Sequence, residues 1–282
     1  MRGRQKGGSV RGSGYELVMC GIAGYSLSPK SSVERTLAAQ ALLASIAERG
    51  GDAVGYGYRT AGDPLVHGHK QRSGASALLD QVQIPPDAVE ALVHVRDYTK
   101  GHPTIAANNH PVRHGAVVGI HNGIIFNDDE LLAEYACARR ERGMSVDSEA
   151  IFALAAHAEG DPRALERLRG SMAAAWLDES RPNIVSIARG VGRPVWVGTG
   201  KAETFFASTR LALEVVEHYA GLRLRKTELA EGTLVVAEHG RQERRERFRP
   251  DRAFEEEPLP SVRAPHEGAS CLARLATLAA AA

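Results

Sequence analysis

Cys20 follows directly on Met19 and precedes Gly-Ile-Ala-Gly, a run that reads as the start of a buried strand. A cysteine in that place is by default a small core residue. The methionine before it opens a chemical reading. If the chain starts or is cut there, Cys20 acquires a free α-amine. A thiol has a reference pKa of about 8.5 and an α-amine one of about 7.7–8.0, so that amine can take the thiol proton near neutral pH. Nucleophile and base then reside in one residue, and no Cys/His pair is needed.

Other groups invite similar readings. Arg96 ends a short apolar run and leads into a polar loop; a guanidinium there is either a surface arginine or a bidentate carboxylate clamp. Asn122-Gly123 follows another apolar run and is either a turn or a pair of neutral donors for an oxyanion. Asp147 stands at a helix start, as an N-cap or as a ligand for an ammonium group. Arg49-Gly50-Gly51-Asp52 reads as a helix stop followed by a strand. His102, His110, His114 and His121 tempt a metal assignment, but Pro111 breaks any helix that would align His110 with His114. No cysteine or carboxylate spacing completes a site, so no metal is expected.

The elements that must position these groups follow from pattern. Residues 21–27 predict a strand, and Ser31 or Ser32 can cap a helix that stops at Gly50 and Gly51. Residues 54–59 and 64–70 predict a hairpin, 91–96 and 116–121 buried strands, and 101–114 a long polar loop. Helices are expected from 128 to about 142, after Asp147, and from Asp161. From 172 onward strands dominate (172–177, 184–189, 195–197, 205–208, 233–238), interrupted by a helix at 211–217. Strands and helices in separate groups predict an α+β layered fold with mostly antiparallel sheets. Residues 1–19 read as a disordered extension or propeptide, 20–239 as the domain, and 240–282 as a linker and tail, with the tail a candidate docking segment.

The 282 residues carry a formal net charge of +1, 43% hydrophobic and 24% charged residues, which fits a soluble globular chain. Neither a nucleic-acid nor a membrane partner is expected. Three widely spaced cysteines, Cys20, Cys137 and Cys271, do not make a disulfide framework. The N-terminus is basic but lacks the apolar stretch of a secretory signal. A cytoplasmic location is the expectation.

The segments MCGIAGY, ERGGDAVGY, HVRDYTKG, NNHPVRHGAVVGIHNGIIFN, VDSEAI and, more distantly, FFASTRLAL resemble, in order and spacing, the glutaminase domain of class II glutamine amidotransferases, which are N-terminal-nucleophile hydrolases. The resemblance spans residues 20–238. HNGII followed by Asn127 is nearest to the glucosamine-6-phosphate synthase branch, and VDSEAI is equally similar to the phosphoribosylpyrophosphate amidotransferase branch. It implies a four-layer αββα sandwich and no cofactor. It implies that Cys20 attacks the side-chain carbonyl of L-glutamine with its own amine as base, and that Asn122 and Gly123 hold the oxyanion. Arg96 would bind the α-carboxylate and Asp147 the α-ammonium, with Arg49 and Gly50 forming the wall beside the nucleophile and Thr99 lining the pocket. The ammonia would pass to an acceptor synthetase or transferase on a separate protein; the oligomeric state is not implied.

Two residues depart from the glucosamine-6-phosphate synthase pattern: Asp97 where a Trp follows the clamp Arg, and Lys100 where a His precedes the Gly. Asp97 is expected to offer Arg96 a rival partner. The 18 residues before Met19 leave three possibilities: a start at Met19, a propeptide cleaved by Cys20 itself, or a domain silent as a hydrolase. The rivals to glutamine hydrolysis are therefore a silent glutamine-sensing module and an N-terminal-nucleophile amidohydrolase for another amide.

Overall fold

Strand β1 (Gly21–Leu27) is buried along its whole length in the computed structural model, which describes residues 20–158, 160–253 and 263–281. It lies between β4 (Ala88–Arg96) and β10 (Glu203–Ala207). Outward from β4 come β2 (Ala53–Thr60) and β3 (His67–Gln71). Outward from β10 come β9 (Trp196–Thr199) and β11 (Arg225–Glu228), giving a first sheet of seven antiparallel strands. The second sheet has six: β13 (Arg241–Arg247), β12 (Thr233–Glu238), β8 (Arg181–Arg189), β7 (Gly170–Asp178), β6 (Val117–Ile125) and β5 (Val112–His114), in that order and antiparallel throughout.

A strand buried on both faces reads as a continuous apolar run, and one core cluster explains why these do. Ile22 and Leu92 of the first sheet meet Ile120, Ala173, Ala175, Leu177, Val185 and Ile187 of the second. The outer face of the first sheet is covered by α1 (Arg35–Ile46), α4 (Arg210–Ala220) and α5 (Pro265–Ala281). The outer face of the second is covered by α2 (Asp128–Glu134) and α3 (Ser148–His157). The layers are therefore αββα. Away from the Cys20 end of β1, buried Arg59 links the sheets. It donates to Glu90 within its own sheet and to the carbonyls of Asp178 (2.8 Å) and Ile184 (3.1 Å) in the other.

Several boundaries differ from the sequence reading, each for a local reason. Glu34 caps α1, its carboxylate accepting from the amides of Thr36 and Leu37; Ser31 instead donates to Glu203 at 2.7 Å. The helix expected to reach 142 stops at Glu134, because the chain turns left-handed at Ala136, φ 53°. Asp147 precedes α3 with a helical backbone and caps nothing with its side chain.

The largest correction is at 240–282. Residues 241–247 form β13 of the second sheet, and α5 packs against α1 with Cys271 and Leu275 fully buried. Composition hid both. Six of seven residues in β13 are charged because it is an exposed edge strand. Small residues dominate α5 because it lies close to α1. The expected extension at 1–19 lies outside the described residues, as do 254–262. Leu275→Ala should cost roughly 3 kcal/mol and lower the thermal midpoint by several degrees; an unpacked tail would leave the midpoint where it is.

Candidate active site

Cys20 sits at the head of β1, buried, with its Sγ–H donating to the main-chain oxygen of Asp97 at 3.3 Å. Its own carbonyl accepts from Arg49 Nε at 3.3 Å. Gly50 lies flat against the opposite wall: a Cβ there would meet the carbonyl carbon and oxygen of Arg96 at 2.4 and 2.5 Å and the Asp97 nitrogen at 2.7 Å. Only a glycine lets the 49–51 turn approach the end of β4 so closely. The Asp52 amide continues the contact, donating to Arg96 O at 3.0 Å.

Arg96 is buried, and its guanidinium is turned onto the loop that follows it. Nη1 donates to Asn109 Oδ1 at 2.7 Å, and Nη2 donates to the carbonyls of Lys100 (2.8 Å) and Gly101. Burial lowers its pKa, while the negative charges that Cys20 and Asp147 can carry raise it. Burial pushes the Cys20 thiol up to about 11, against the opposing pull of the Asp97 hydrogen bond and the Arg96 charge; Asp97 and Asp147 push it further up. Asp147 is buried too, and its Oδ2 accepts from the Ile125 amide at 2.7 Å. Burial raises its carboxyl to about 6, with the Ile125 bond opposing. One thiol, one guanidinium and one carboxylate thus share an electrostatic neighbourhood.

Asn122 lies on β6, on the same face as Ile120, pointing between the sheets. It is fully buried, and neither its Nδ2 nor its Oδ1 has a hydrogen-bond partner among the described residues. Most buried amides are paired; those that are not often stand ready for a ligand. Gly123 has φ 144°, and a Cβ there would lie 2.1 Å from Ser171 O. No side chain fits, and the backbone is turned as only glycine readily allows. Thr99 is exposed on the 97–101 loop.

The structure also reveals groups that pattern reading missed or misplaced. His94 Nε2 donates to His121 O at 3.0 Å, tethering β4 to the residue just before Asn122. Ser148 Oγ lies between His110 Nε2 (3.0 Å) and His121 Nδ1 (2.9 Å), so it donates to one ring and accepts from the other. His94 and His110 stack with centroids 4.1 Å apart. Burial drives His94 and His121 down to about 3 and His110 well below its usual range. These are neutral rings: His94 ties the first sheet to the second, and His121 and, just before β5, His110 tie the second sheet to α3. His114 pairs instead with Glu149 at 3.1 Å.

Asp97 is not a rival partner for Arg96: its carboxylate accepts from Arg263 Nε at 2.7 Å. Lys100 does not face the thiol either. Its Nζ donates to both oxygens of buried Asp128 (2.6 and 2.7 Å) and to Asp129 (3.1 Å), where Arg139 also binds. No sequence signal links partners so far apart in the chain.

Comparison with known proteins agrees with this fold. Among solved structures, the chain is similar to glutamine phosphoribosylpyrophosphate amidotransferase from B. subtilis (TM-score 0.61, 21% identity, 81% of this chain and 49% of that one). It is also similar to a glutamine aminotransferase class-II domain protein from Silicibacter pomeroyi (TM-score 0.52, 19% identity, 82% of this chain and 100% of that one). The fold is that of the N-terminal-nucleophile hydrolases. Residues 99–215 match the family profile of the glutamine amidotransferase domain. The chain is 35% identical over 198 residues to glutamine–fructose-6-phosphate aminotransferase of Zymomonas mobilis, covering 64% of this chain and 31% of that enzyme. It is 32% identical over 176 residues to the Escherichia coli K12 enzyme, covering 56% and 28%. The chain therefore spans less than a third of either enzyme. Family profile, curated enzymes and solved structures together support a class II glutamine amidotransferase domain.

The raised carboxyl of Asp147 makes a stability prediction. Below about pH 4 folded and unfolded chains both hold the proton, so its burial costs nothing. As pH rises to about 6 the unfolded chain ionises first, and stability drains away. Above that the full cost applies, on the order of 3 kcal/mol. Asp147→Asn keeps an acceptor for Ile125 and should raise the thermal midpoint at pH 8 by several degrees, with no gain at pH 3.5. Equal gains at both pH values would show that the carboxyl is not raised.

Proposed function

We propose that this domain hydrolyses L-glutamine to glutamate and ammonia at Cys20, and that the ammonia passes to an acceptor domain or partner protein. The observation that carries the reading is the pairing of charges around the thiol. Arg96 and Asp147 both act on Cys20, and they are the complements of the two charged ends of an α-amino acid. An amidohydrolase for a simple amide has no use for both.

In this reading Arg96 binds the α-carboxylate with its guanidinium, already set in place by the loop. Asp147 binds the α-ammonium, which answers a carboxylate that is costly to ionise in the free protein. Arg49 and Gly50 form one wall and Thr99 lines the mouth. The Cys20 thiolate attacks the side-chain carbonyl carbon, and the oxyanion is received by the Asn122 amide and the Gly123 backbone N–H. Collapse of the adduct expels ammonia, which leaves with a proton, and a thioester remains. Water then attacks the thioester, the C–S bond breaks, and glutamate and the thiol are restored. A thiol raised to about 11 is almost wholly protonated at neutral pH, so a base is required. We assign that role to the α-amine of Cys20 once residues 1–19 are gone. Neither a metal nor a cofactor is invoked, and we place the activity in the cytoplasm; among the described residues no helix is long and apolar enough to cross a membrane.

Intact mass and ammonia release, measured on the same untagged preparation, test the proposal. Protein whose mass starts at Cys20 should release ammonia from glutamine, and Cys20→Ala should lose at least about a thousandfold in rate. Protein that retains residues 1–19 should be inactive. Turnover by the extended form at the same rate, or by Cys20→Ala, would sink the assignment of the amine or of the thiol respectively.

A further inference from the structure

The loop after Arg96 holds three carbonyls that matter: Asp97 O takes the Cys20 thiol, and Lys100 O and Gly101 O take the Arg96 guanidinium. Beyond Arg96 the loop leaves the sheet, and ion pairs secure it at both ends. Lys100 fastens one end to Asp128 and Asp129. Asp97 fastens the other to Arg263, 166 residues away in sequence.

Arg263 reaches the loop from a segment that also grips the opposite wall. The amides of Arg263 and Ala264 donate to Glu48 O at 3.3 and 3.1 Å. Glu48 immediately precedes Arg49, which holds the Cys20 carbonyl. The segment is itself anchored. Glu267 accepts from the amide and hydroxyl of Ser76 at 2.7 and 3.1 Å, and Arg274 Nε reaches both oxygens of Asp80 at 2.9 Å. A second carboxylate lies close by: Asp52 Oδ2 accepts from the Tyr98 amide at 2.9 Å, and its charge acts on Asp97. Without a cation between them, two carboxylates under one short loop repel.

We propose that Arg263 is a positioning residue for the Cys20 site: by pairing with Asp97 it keeps the thiol's carbonyl partner and the rim of the glutamine pocket in register with the Arg49–Gly50 wall. Arg263 touches neither thiol nor substrate; it acts through Asp97. The proposal accounts for the aspartate that replaces the expected aromatic after the clamp arginine. Here the loop is held by charge supplied from the far end of the domain. Only its kinetic readout rests on the glutaminase reading.

The test compares wild-type protein that starts at Cys20 with the same protein carrying Arg263→Ala, Arg263→Lys or the double variant Arg263→Ala/Asp97→Asn. Two quantities are read: steady-state glutaminase kinetics, and the second-order rate of iodoacetamide alkylation followed on the Cys20 peptide. Arg263→Ala should raise KM for glutamine about fivefold while kcat changes less than about twofold, in keeping with the loss of one partly buried ion pair. Alkylation should accelerate severalfold as the thiol loses its carbonyl partner. Lysine should recover most of both effects. The double variant should recover them too, because it removes the carboxylate that Arg263 leaves unpaired. If Arg263→Ala matches wild type in both readouts, or if the double variant is no better than Arg263→Ala, the proposal is wrong. If wild-type protein shows no glutamine turnover, the glutaminase reading fails, and the alkylation series still decides the role of Arg263.

Discussion

The site depends on a guanidinium buried at the end of a strand. Arg96 satisfies its N–H groups with Asn109 and with carbonyls of its own downstream loop, which curls the chain back beside Cys20. Carbonyl dipoles fill hydrogen-bonding positions, but they do not neutralise a net charge in a poorly solvated place. The charge is answered by groups that can turn negative: Cys20, Asp147 and Asp52. The hydrogen bonds that shape the loop therefore also hold a positive charge where it acts on the Cys20 thiol. Shape and electrostatics come from the same side chain.

Asn122 is held just as firmly from behind. Behind it His94 reaches across from the first sheet to the His121 carbonyl, and Ser148 of α3 bridges His110 and His121 on the outer side of the second sheet. Buried polar networks of this kind are costly where they are half satisfied, and this one leaves the Nδ1 atoms of His94 and His110 without partners among the described residues. It holds the backbone at His121, next to an amide that is itself left unpaired. Rigidity next to an open donor is the arrangement expected of a preorganised oxyanion site.

Much of this was legible in the sequence. The central strands read correctly because they are buried on both faces and carry continuous apolar runs. Arg96 and Asn122 could be singled out because each lies at the end of such a run. What escaped was of two kinds. Local pattern misled where tertiary partners took over: Asp147 turned from a cap into an acceptor for Ile125, and Glu34 capped α1 in place of a serine. Long-range pairing was invisible. Asp97 looked like a competitor for Arg96 because its true partner, Arg263, lies in a stretch whose composition resembles a linker. β13 and α5 were hidden for the same reason, since an edge strand needs no apolar face and a helix packed closely on another needs only small residues.

The edge strand has a consequence for how the domain meets other molecules. β13 presents Arg241, Glu243, Arg244, Arg245, Glu246 and Arg247 along the open side of the second sheet, nearly all exposed. An unpaired strand edge is a template on which a stray extended segment can add. Here any incoming strand would have to lay its backbone across a row of hydrated charges of both signs. The sheet is thereby closed to growth without being covered. The domain resists runaway stacking with its own copies.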